Sequence, residues 1–418
     1  MSNLRRRKVL WLSHVLPWPA KGGLQQRSFH LMRAVALRHS LRLVAFTQRA
    51  HQRDQESLAS AIEEMGRFCA RVEVCSLPQD SAWLGQAGLA AKSLLPGPPF
   101  TIRWAMSRRF AASVEKATQE FDPDIVHFDT VSLAPYLSQV PGRRAVLNHH
   151  NIESHMLQRR AAEESNKLRA AYFVQEAWRL ARYEKRVAER FELHLVCSQL
   201  DALRLAETVG AVSTRVVPNG VDLDYFQPAK PTQPSQDPGL IFVGGLGWYP
   251  NAAAMRYFLR SIWPLLKAAR PDLRLTVVGR DPPDDLIKMT KQDGRVHFPG
   301  FVDDIRPLVH SSSVYVCPIR DGGGTKLKML DAMAMGCAIV ADPVAAEGLG
   351  IKNGTQCILA PGPRDFADAV LKLLDSERMR AELGARARKH VEDRFSFESI
   401  GASLADAYQE LPSRCAHQ

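Results

Sequence analysis

The 418-residue sequence predicts an α/β protein made of two doubly wound parallel-sheet domains. Three observations predict it. Short β-rich runs alternate with longer helical patterns along the chain. Most of the runs are continuously apolar, as strands buried on both faces are. A stretch rich in Pro, Gln and Ser, "FQPAKPTQPSQDPG" (226–239), reads as an exposed connector that splits the runs into two sets.

The first set is "KVLWLS" (8–13), "LRLVAF" (41–46), "RVEVCS" (71–76), "DIVHF" (124–128), "RAVLN" (144–148) and "LHLVC" (193–197). The basic start before "KVLWLS" imitates a signal peptide. The apolar run is short, however, and Ser13, His14, Pro17 and Pro19 break it, so it reads as a first strand. The charged stretch 156–191 reads as one long solvated helix laced with ion pairs; a basic face meeting lipid is the alternative. The second set is "LIFVG" (240–244), "LRLTVVG" (273–279), "RVHFPG" (295–300), "SVYVCPI" (313–319) and "CAIVAD" (337–342). A last helix opens at Ser396, with Glu398 close behind. The expected domains are 1–218 and 219–395, with 396–418 as a C-terminal helix.

Lys and Arg number 55 against 44 Asp and Glu, a net charge of +11. That surplus points to an acidic partner: nucleic acid, an anionic membrane surface or a phosphorylated substrate. A nucleic-acid binder would interleave aromatics with basic residues on one element. Here the basic residues are spread out, and that partner is set aside. The seven cysteines form no CxxC pair and no zinc spacing, which suits buried thiols in a reducing compartment. No run reaches the roughly 18 apolar residues of a membrane span. The basic segments 5–8 and 103–110 are the candidates for contact with an anionic membrane.

Three glycine turns run from strand to helix. The first is "RDGGGTKLKMLDAMAMG" (320–336), with Gly323, Gly324, Thr325 and Lys326 opening a helix. Unpaired N–H groups and the helix dipole make such a turn an anion site, and glycine lets a phosphate approach the backbone. Thr325, Lys328 and Asp331 recur every third residue, so they are expected on one helix face. Leu327, Leu330 and Ala334 should pack on the sheet from the other. Asp331 suits sugar hydroxyls, a ribose diol beside a diphosphate. The opposing reading is a tight turn with a charged exterior. The second turn is "LIFVGGLGWYPN" (240–251), carrying Gly244, Gly245 and Asn251; the third holds Gly22 and Gly23. Each half thus places a glycine turn at a strand's C-terminal edge.

Together these pieces resemble the group 1 glycosyltransferases of family 4, which have the GT-B fold. Those that carry the resemblance are "LPWPAKGGLQQRSFHLMRAVA", "FDPDIVHFD", "VLNHHNIES", "VVPNGVDLDYF", "FVGGLGWYPN", "LTVVGRDP", "FPGFVDDI", "GGGTKLKMLDAMAMGCAIVAD" and "AAEGLGI", in that order over nearly the whole chain. The resemblance implies two Rossmann-like domains facing across a cleft and a C-terminal helix crossing back to the first. It implies a UDP- or GDP-sugar bound mainly by the second domain, and a glycan or lipid-linked acceptor bound by the first. Transfer would retain anomeric configuration, with no metal and no other cofactor, in cell-surface polysaccharide assembly. The place would be cytoplasmic, including the inner face of the cell membrane.

The resemblance makes His150 the best match for the family's histidine at the reacting centre, with His149 second. Lys326 and Lys328 are the diphosphate candidates and Arg280 the third; Arg280 also fits a surface residue after a strand. Glu153 suits a helix cap or a ligand contact. No protein nucleophile is assigned. The chain departs from the family at two places. The acidic residue eight positions before Asp331 is Gly323, with Asp321 two positions earlier. The family's Arg and Lys after the "FVG" strand are missing. Two Asp-x-Asp pairs, Asp122–Asp124 and Asp222–Asp224, match metal motifs of other transferases but read as turns. An oxidoreductase would need GxGxxG and an acidic residue ending its second strand, and neither is present. An epimerase of similar fold and a GT-B protein that only binds nucleotide sugars are the remaining alternatives.

Overall fold

The computed structural model describes residues 6–48, 54–77, 96–229, 239–322 and 324–412. The chain forms two compact units. One comprises Met1–Pro218 with Phe397–Gln418, the other Asn219–Ser396.

Among the described residues the first unit holds seven strands: β1 (Lys8–Ser13), β2 (Ser40–Thr47), β3 (Arg71–Ser76), β4 (Ile125–Phe128), β5 (Arg144–His149), β6 (Leu193–Val196) and β7 (Thr214–Val216). All pair in parallel, in the order β3-β2-β1-β4-β5-β6-β7. Two apolar clusters cover the two faces, one built on Val9 and Trp11, the other on Leu10 and Leu12. That is the alternation a doubly covered parallel strand requires. The chain reverses direction across the sheet between β1 and β4, where open α/β sheets bind ligands beyond the strand ends.

The last helix, Phe397–Glu410, belongs to this unit. It packs on the helix Gly23–Ala36, where a Cβ at Gly401 would lie 2.1 Å from the Ala34 Cβ. Arg7 donates to the carbonyls of Gln409 (2.8 Å) and Leu411 (2.5 Å). Those are carbonyls a helix end leaves without intrahelical partners.

The second unit holds β8 (Gly239–Val243), β9 (Arg274–Val278), β10 (Val296–Gly300), β11 (Val314–Cys317), β12 (Ile339–Ala341) and β13 (Ile358–Leu359). Its all-parallel order, β10-β9-β8-β11-β12-β13, repeats the pattern of the first unit's leading six strands. The switch point falls between β8 and β11. The two-domain α/β architecture expected from the sequence is thus observed, and every quoted apolar run contains a strand. Two short edge strands, β7 and β13, carried no such run.

The stretch 156–191 differs from expectation. It lies on two helices, Glu153–Glu163 and Lys167–Ala188. Asn166 caps the second, its Oδ1 accepting from the N–H groups of Leu168 and Arg169. The second helix buries a face that includes Phe173, Leu180 and Glu184 rather than standing solvated. Nor does the strip Thr325–Asp331 form one helix face. The helix runs Leu327–Ala334 with Lys326 as its N-cap, so Thr325 precedes it. Met329–Ala334 are all buried, which removes the expected split into a sheet face and a solvent face.

Candidate functional site

At the second unit's switch point two glycine turns meet. After β8, Gly244 donates its N–H to the Val278 carbonyl and Leu246 to that of Arg280. Asn251, near the start of the helix Tyr249–Tyr257, folds back to donate from Nδ2 to the Gly245 carbonyl at 2.7 Å. Lys328 reaches across from the other turn. Its Nζ donates to Asn251 Oδ1 at 2.5 Å and lies 4.7 Å from the centre of the Phe242 ring. A Cβ at Gly244 would stand 2.4 Å from that Nζ, so the glycine makes room for the ammonium.

Burial pulls the Lys328 ammonium down to about 8, with Cys317 and Asp331 opposing. Burial pushes Asp331 up to about 8; Lys328 pulls against that and Asp222 adds to it. Asp331 is 8% exposed and its Oδ1 has no hydrogen-bond partner. A buried polar atom without a partner costs about 1–3 kcal/mol.

The other residues of the turn hold its shape. Lys326 Nζ donates to the carbonyls of Gly322 (2.9 Å) and Gly324 (3.0 Å). Thr325 is fixed by Asn219, whose Nδ2 donates to Thr325 Oγ1 at 2.6 Å. Asp321 Oδ1 accepts from the Gly322 N–H at 2.5 Å. Gly323 lies outside the described residues. Arg280 lies over the Phe301 ring, 4.9 Å from its centre, with its carbonyl tying down the first turn.

At the first unit's switch point the centre is Asp129, fully buried immediately after β4. Its Oδ2 accepts from Ser28 Oγ (2.7 Å) and Ser13 Oγ (3.1 Å). Its Oδ1 accepts from Asn148 Nδ2 (3.0 Å) and His150 Nε2 (3.1 Å). Burial opposes ionisation there, but His150 and His127 outweigh it and hold the carboxylate well below its ordinary range. Asn148 is oriented from behind, its Oδ1 accepting from Arg27 at 3.1 Å. Arg27 also donates to the carbonyls of Val217 (2.8 Å) and Pro218 (2.7 Å).

The bond to ionised Asp129 makes Nε2 of His150 the protonated nitrogen and Nδ1 the acceptor when the ring is neutral. The His150 ring is 11% exposed. His149 is different. It is buried, bonds His194 Nδ1 at 3.0 Å and is held neutral by burial, so it is a core histidine. Glu153 opens the helix after His150, and its Oε1 accepts from Thr130 Oγ1 at 2.8 Å. Gly22 caps the helix Gly23–Ala36, which brings Arg27 and Ser28 to Asp129.

Sequence reasoning missed Asp129, Asn148, Arg27, Ser13 and Ser28. Asp129 ends the quoted "FDPDIVHFD" and Asn148 stands in "VLNHHNIES", so position after a strand at the switch point was the usable signal. Asp222 sits in a turn, its Oδ1 accepting from the N–H groups of Asp224 and Tyr225. Asp122 is instead the left-handed C-cap of the helix Arg108–Phe121, and Asp124 Oδ2 accepts from the Lys8 N–H at the entry to β4. Among the described residues no three His, Cys, Asp or Glu side chains cluster as a metal site. Nor is any helix there long and apolar enough to cross a membrane.

Two parallel-sheet units with an anion-suited glycine turn at the second switch point define a class of two-domain α/β proteins, and sequence comparison resolves the class further. The family described as "Glycosyltransferase Family 4" matches residues 21–225, and that described as "Glycosyl transferases group 1" matches 237–376. The chain belongs to the group 1 glycosyltransferases of family 4. It is similar to a phosphatidyl-myo-inositol mannosyltransferase of Mycolicibacterium smegmatis, 28% identical over 202 residues, 47% of this chain and 51% of that one. The chain thus spans about half the length of the curated relatives it matches. Its fold is that of sucrose-phosphate synthase from Thermosynechococcus elongatus, with TM-score 0.73 and 17% identity over 97% of this chain and 99% of that one. It is also that of Anabaena HepE in complex with UDP and glucose, with TM-score 0.69 and 17% identity over 97% and 100%. These likenesses make the fold GT-B.

Proposed function

We propose that this chain is a retaining, metal-independent glycosyltransferase. It moves a sugar from a UDP- or GDP-sugar to a glycan or lipid-linked acceptor in cell-surface polysaccharide assembly. The observation that carries the reading is the pair at the second switch point: half-buried Lys328 bonded across the two glycine turns, with a partnerless Asp331 oxygen on the same helix. Lys328 and the N–H groups opening the helix Leu327–Ala334 suit a diphosphate, and Asp331 suits hydroxyls. Family membership, a mannosyltransferase relative and a structural neighbour bound to UDP and glucose support it.

In this reading the bond from the anomeric carbon to the diphosphate oxygen breaks while the acceptor hydroxyl bonds the same carbon. The acceptor's proton passes to the departing diphosphate. Lys328 stabilises the charge that develops there. His150, held by Asp129, contacts the donor sugar at the reacting centre. No side chain forms a covalent intermediate.

The test is a thermal-shift panel of nucleotides and nucleotide sugars with EDTA present. Ligand at 100 times its dissociation constant adds about 2.7 kcal/mol. A shift with UDP or GDP and their sugars, lost in Asp331→Ala, supports the reading and identifies the base. A shift with NAD(P) alone, or none with any compound, overturns it. The acidic partner that balances the basic surplus is then the donor diphosphate together with an anionic membrane bearing the acceptor. Exposed Met106, Arg108 and Arg109 offer the contact. Sedimentation with vesicles that ignores their anionic lipid content would remove that membrane role.

A further inference from the structure

A buried line of polar groups runs from the last helix to His150, all within the first unit. Tyr408, on the helix Phe397–Glu410, is fully buried, and its hydroxyl lies 2.6 Å from His127 Nδ1. His127 sits on β4, fully buried, its ring stacked on Trp11 with centroids 3.5 Å apart. Its Nε2 faces Asp129 Oδ1 at 3.6 Å, too long for a hydrogen bond but close for a charge. The same Oδ1 accepts from His150.

The protonation pattern follows from what each group can do. Ionised Asp129 only accepts, so the nitrogen facing it is favoured as N–H. Burial keeps His127 neutral, which leaves Nδ1 as a lone pair. The Tyr408 hydroxyl then donates to Nδ1, and that donation adds to the pull of Asp129 in favour of the Nε2–H form of His127. Reversing the tautomer would turn a lone pair toward the Asp129 carboxylate. That repulsion would act on the oxygen that orients His150.

We propose that Tyr408 is a positioning residue: docking of the C-terminal helix sets, through His127 and Asp129, the orientation and tautomer of His150. The segment that returns from beyond the second unit thereby reports its docking to the reacting centre. This rests on the role given to His150 above, and the experiment separates the two.

Tyr408→Phe keeps the ring and removes only the donor. The expected result is a fall in kcat of about fivefold to twentyfold, well below the roughly 10²–10⁴-fold of losing an acid–base group outright, because His150 itself stays in place. Donor KM should stay within twofold and the thermal midpoint within a few degrees. His150→Ala is measured beside it. If His150→Ala leaves kcat intact, the role of His150 fails. If His150→Ala abolishes turnover while Tyr408→Phe holds kcat within twofold, the relay fails. A matched rise in KM and fall in stability also overturns it, because that is what a merely structural contact gives. Imidazole 15N shifts of the unmodified protein give a check independent of the variant's folding. They should show His127 as the neutral Nε2–H form, and an Nδ1–H signal overturns the assignment.

Discussion

At the first switch point the buried carboxylate of Asp129 is ringed by donors from Ser13, Ser28, Asn148 and His150. At the second, the buried carboxyl of Asp331 has an oxygen with no partner, and burial drives its pKa the opposite way. The two sheets share a strand order, so the topology is not what separates the sites. The difference lies in what reaches the carboxyl. Where donors converge, the charge is stabilised and the cluster is rigid before any substrate arrives. Where they do not, the free energy left unrealised is available to a ligand that brings donors.

The comparison breaks most sharply at Asp129. Asp129→Ala leaves the Ser28, Asn148 and His150 donors without their acceptor. At about 1–3 kcal/mol per orphaned buried group, the loss should exceed ~3 kcal/mol. At about 2–4 °C per kcal/mol for a unit of this size, calorimetry should show a midpoint at least ~6 °C lower. Turnover should fall with it. An unchanged midpoint would mean the donors find water at no cost and the site is not preorganised.

Asp331→Asn should act in the opposite direction on stability. The folded pKa of about 8 lies above the ordinary aspartate value of 3.8. Between them the folded state holds a proton that the unfolded state has released. Stability from this group is therefore fully present below pH 4 and lost as pH rises toward 8. One pKa unit is about 1.4 kcal/mol, so the penalty at pH 7.5 is bounded by several kcal/mol. The asparagine variant should match the parent near pH 4 and unfold at higher temperature at pH 7.5. Its affinity for the nucleotide sugar should drop about tenfold, the upper end for loss of one hydrogen bond. A variant less stable at pH 7.5 would show that the carboxyl is well solvated after all.

What was legible beforehand follows the same divide. Apolar runs are local, so the strands and the α/β class could be read directly. Glycine turns are local too, and the quoted "GGGTKLK" and "FVGGLG" do meet. The meeting itself was not legible, because Lys328 and Asn251 are 77 residues apart. Asp129 was hidden for a similar reason. An Asp after a strand becomes a centre only when that strand lies beside β1, and strand order is set by the whole sheet. The break between the helices at Asn166 was readable from a cap residue, but the charged periodicity around it outweighed the signal. Thr325 was misplaced because helical spacing was extended past the true N-cap.

A smaller effect should follow from Gly244→Ala. The added Cβ meets Lys328 Nζ at 2.4 Å and Asn251 Nδ2 at 2.9 Å. Both are ends of movable side chains, so the fold should tolerate the change at a cost of about 1 kcal/mol. The ammonium is displaced, however, and donor affinity should fall severalfold by titration. Gly279→Ala is the contrast, since its Cβ would lie 2.1 Å from the Gly244 carbonyl oxygen. If Gly244→Ala binds donor as the parent does, Lys328 is not the cation that matters.

The smallest expected effect tests whether an acidic pair beside the second site serves a metal. Asp222 holds a turn by accepting from the N–H groups of Asp224 and Tyr225, and its charge helps to push the Asp331 pKa up. Asp222→Asn keeps an acceptor for the turn, so stability should move by no more than ~0.5 kcal/mol. Donor affinity should stay within twofold, with or without EDTA. The titration of Asp331, followed by the pH dependence of the midpoint, should shift to lower pH because a like charge is gone. If Asp222→Asn instead removes an EDTA-sensitive activity, the Asp-x-Asp pair is a metal motif. The second switch point would then owe its neutralising charge to a divalent cation rather than to Lys328.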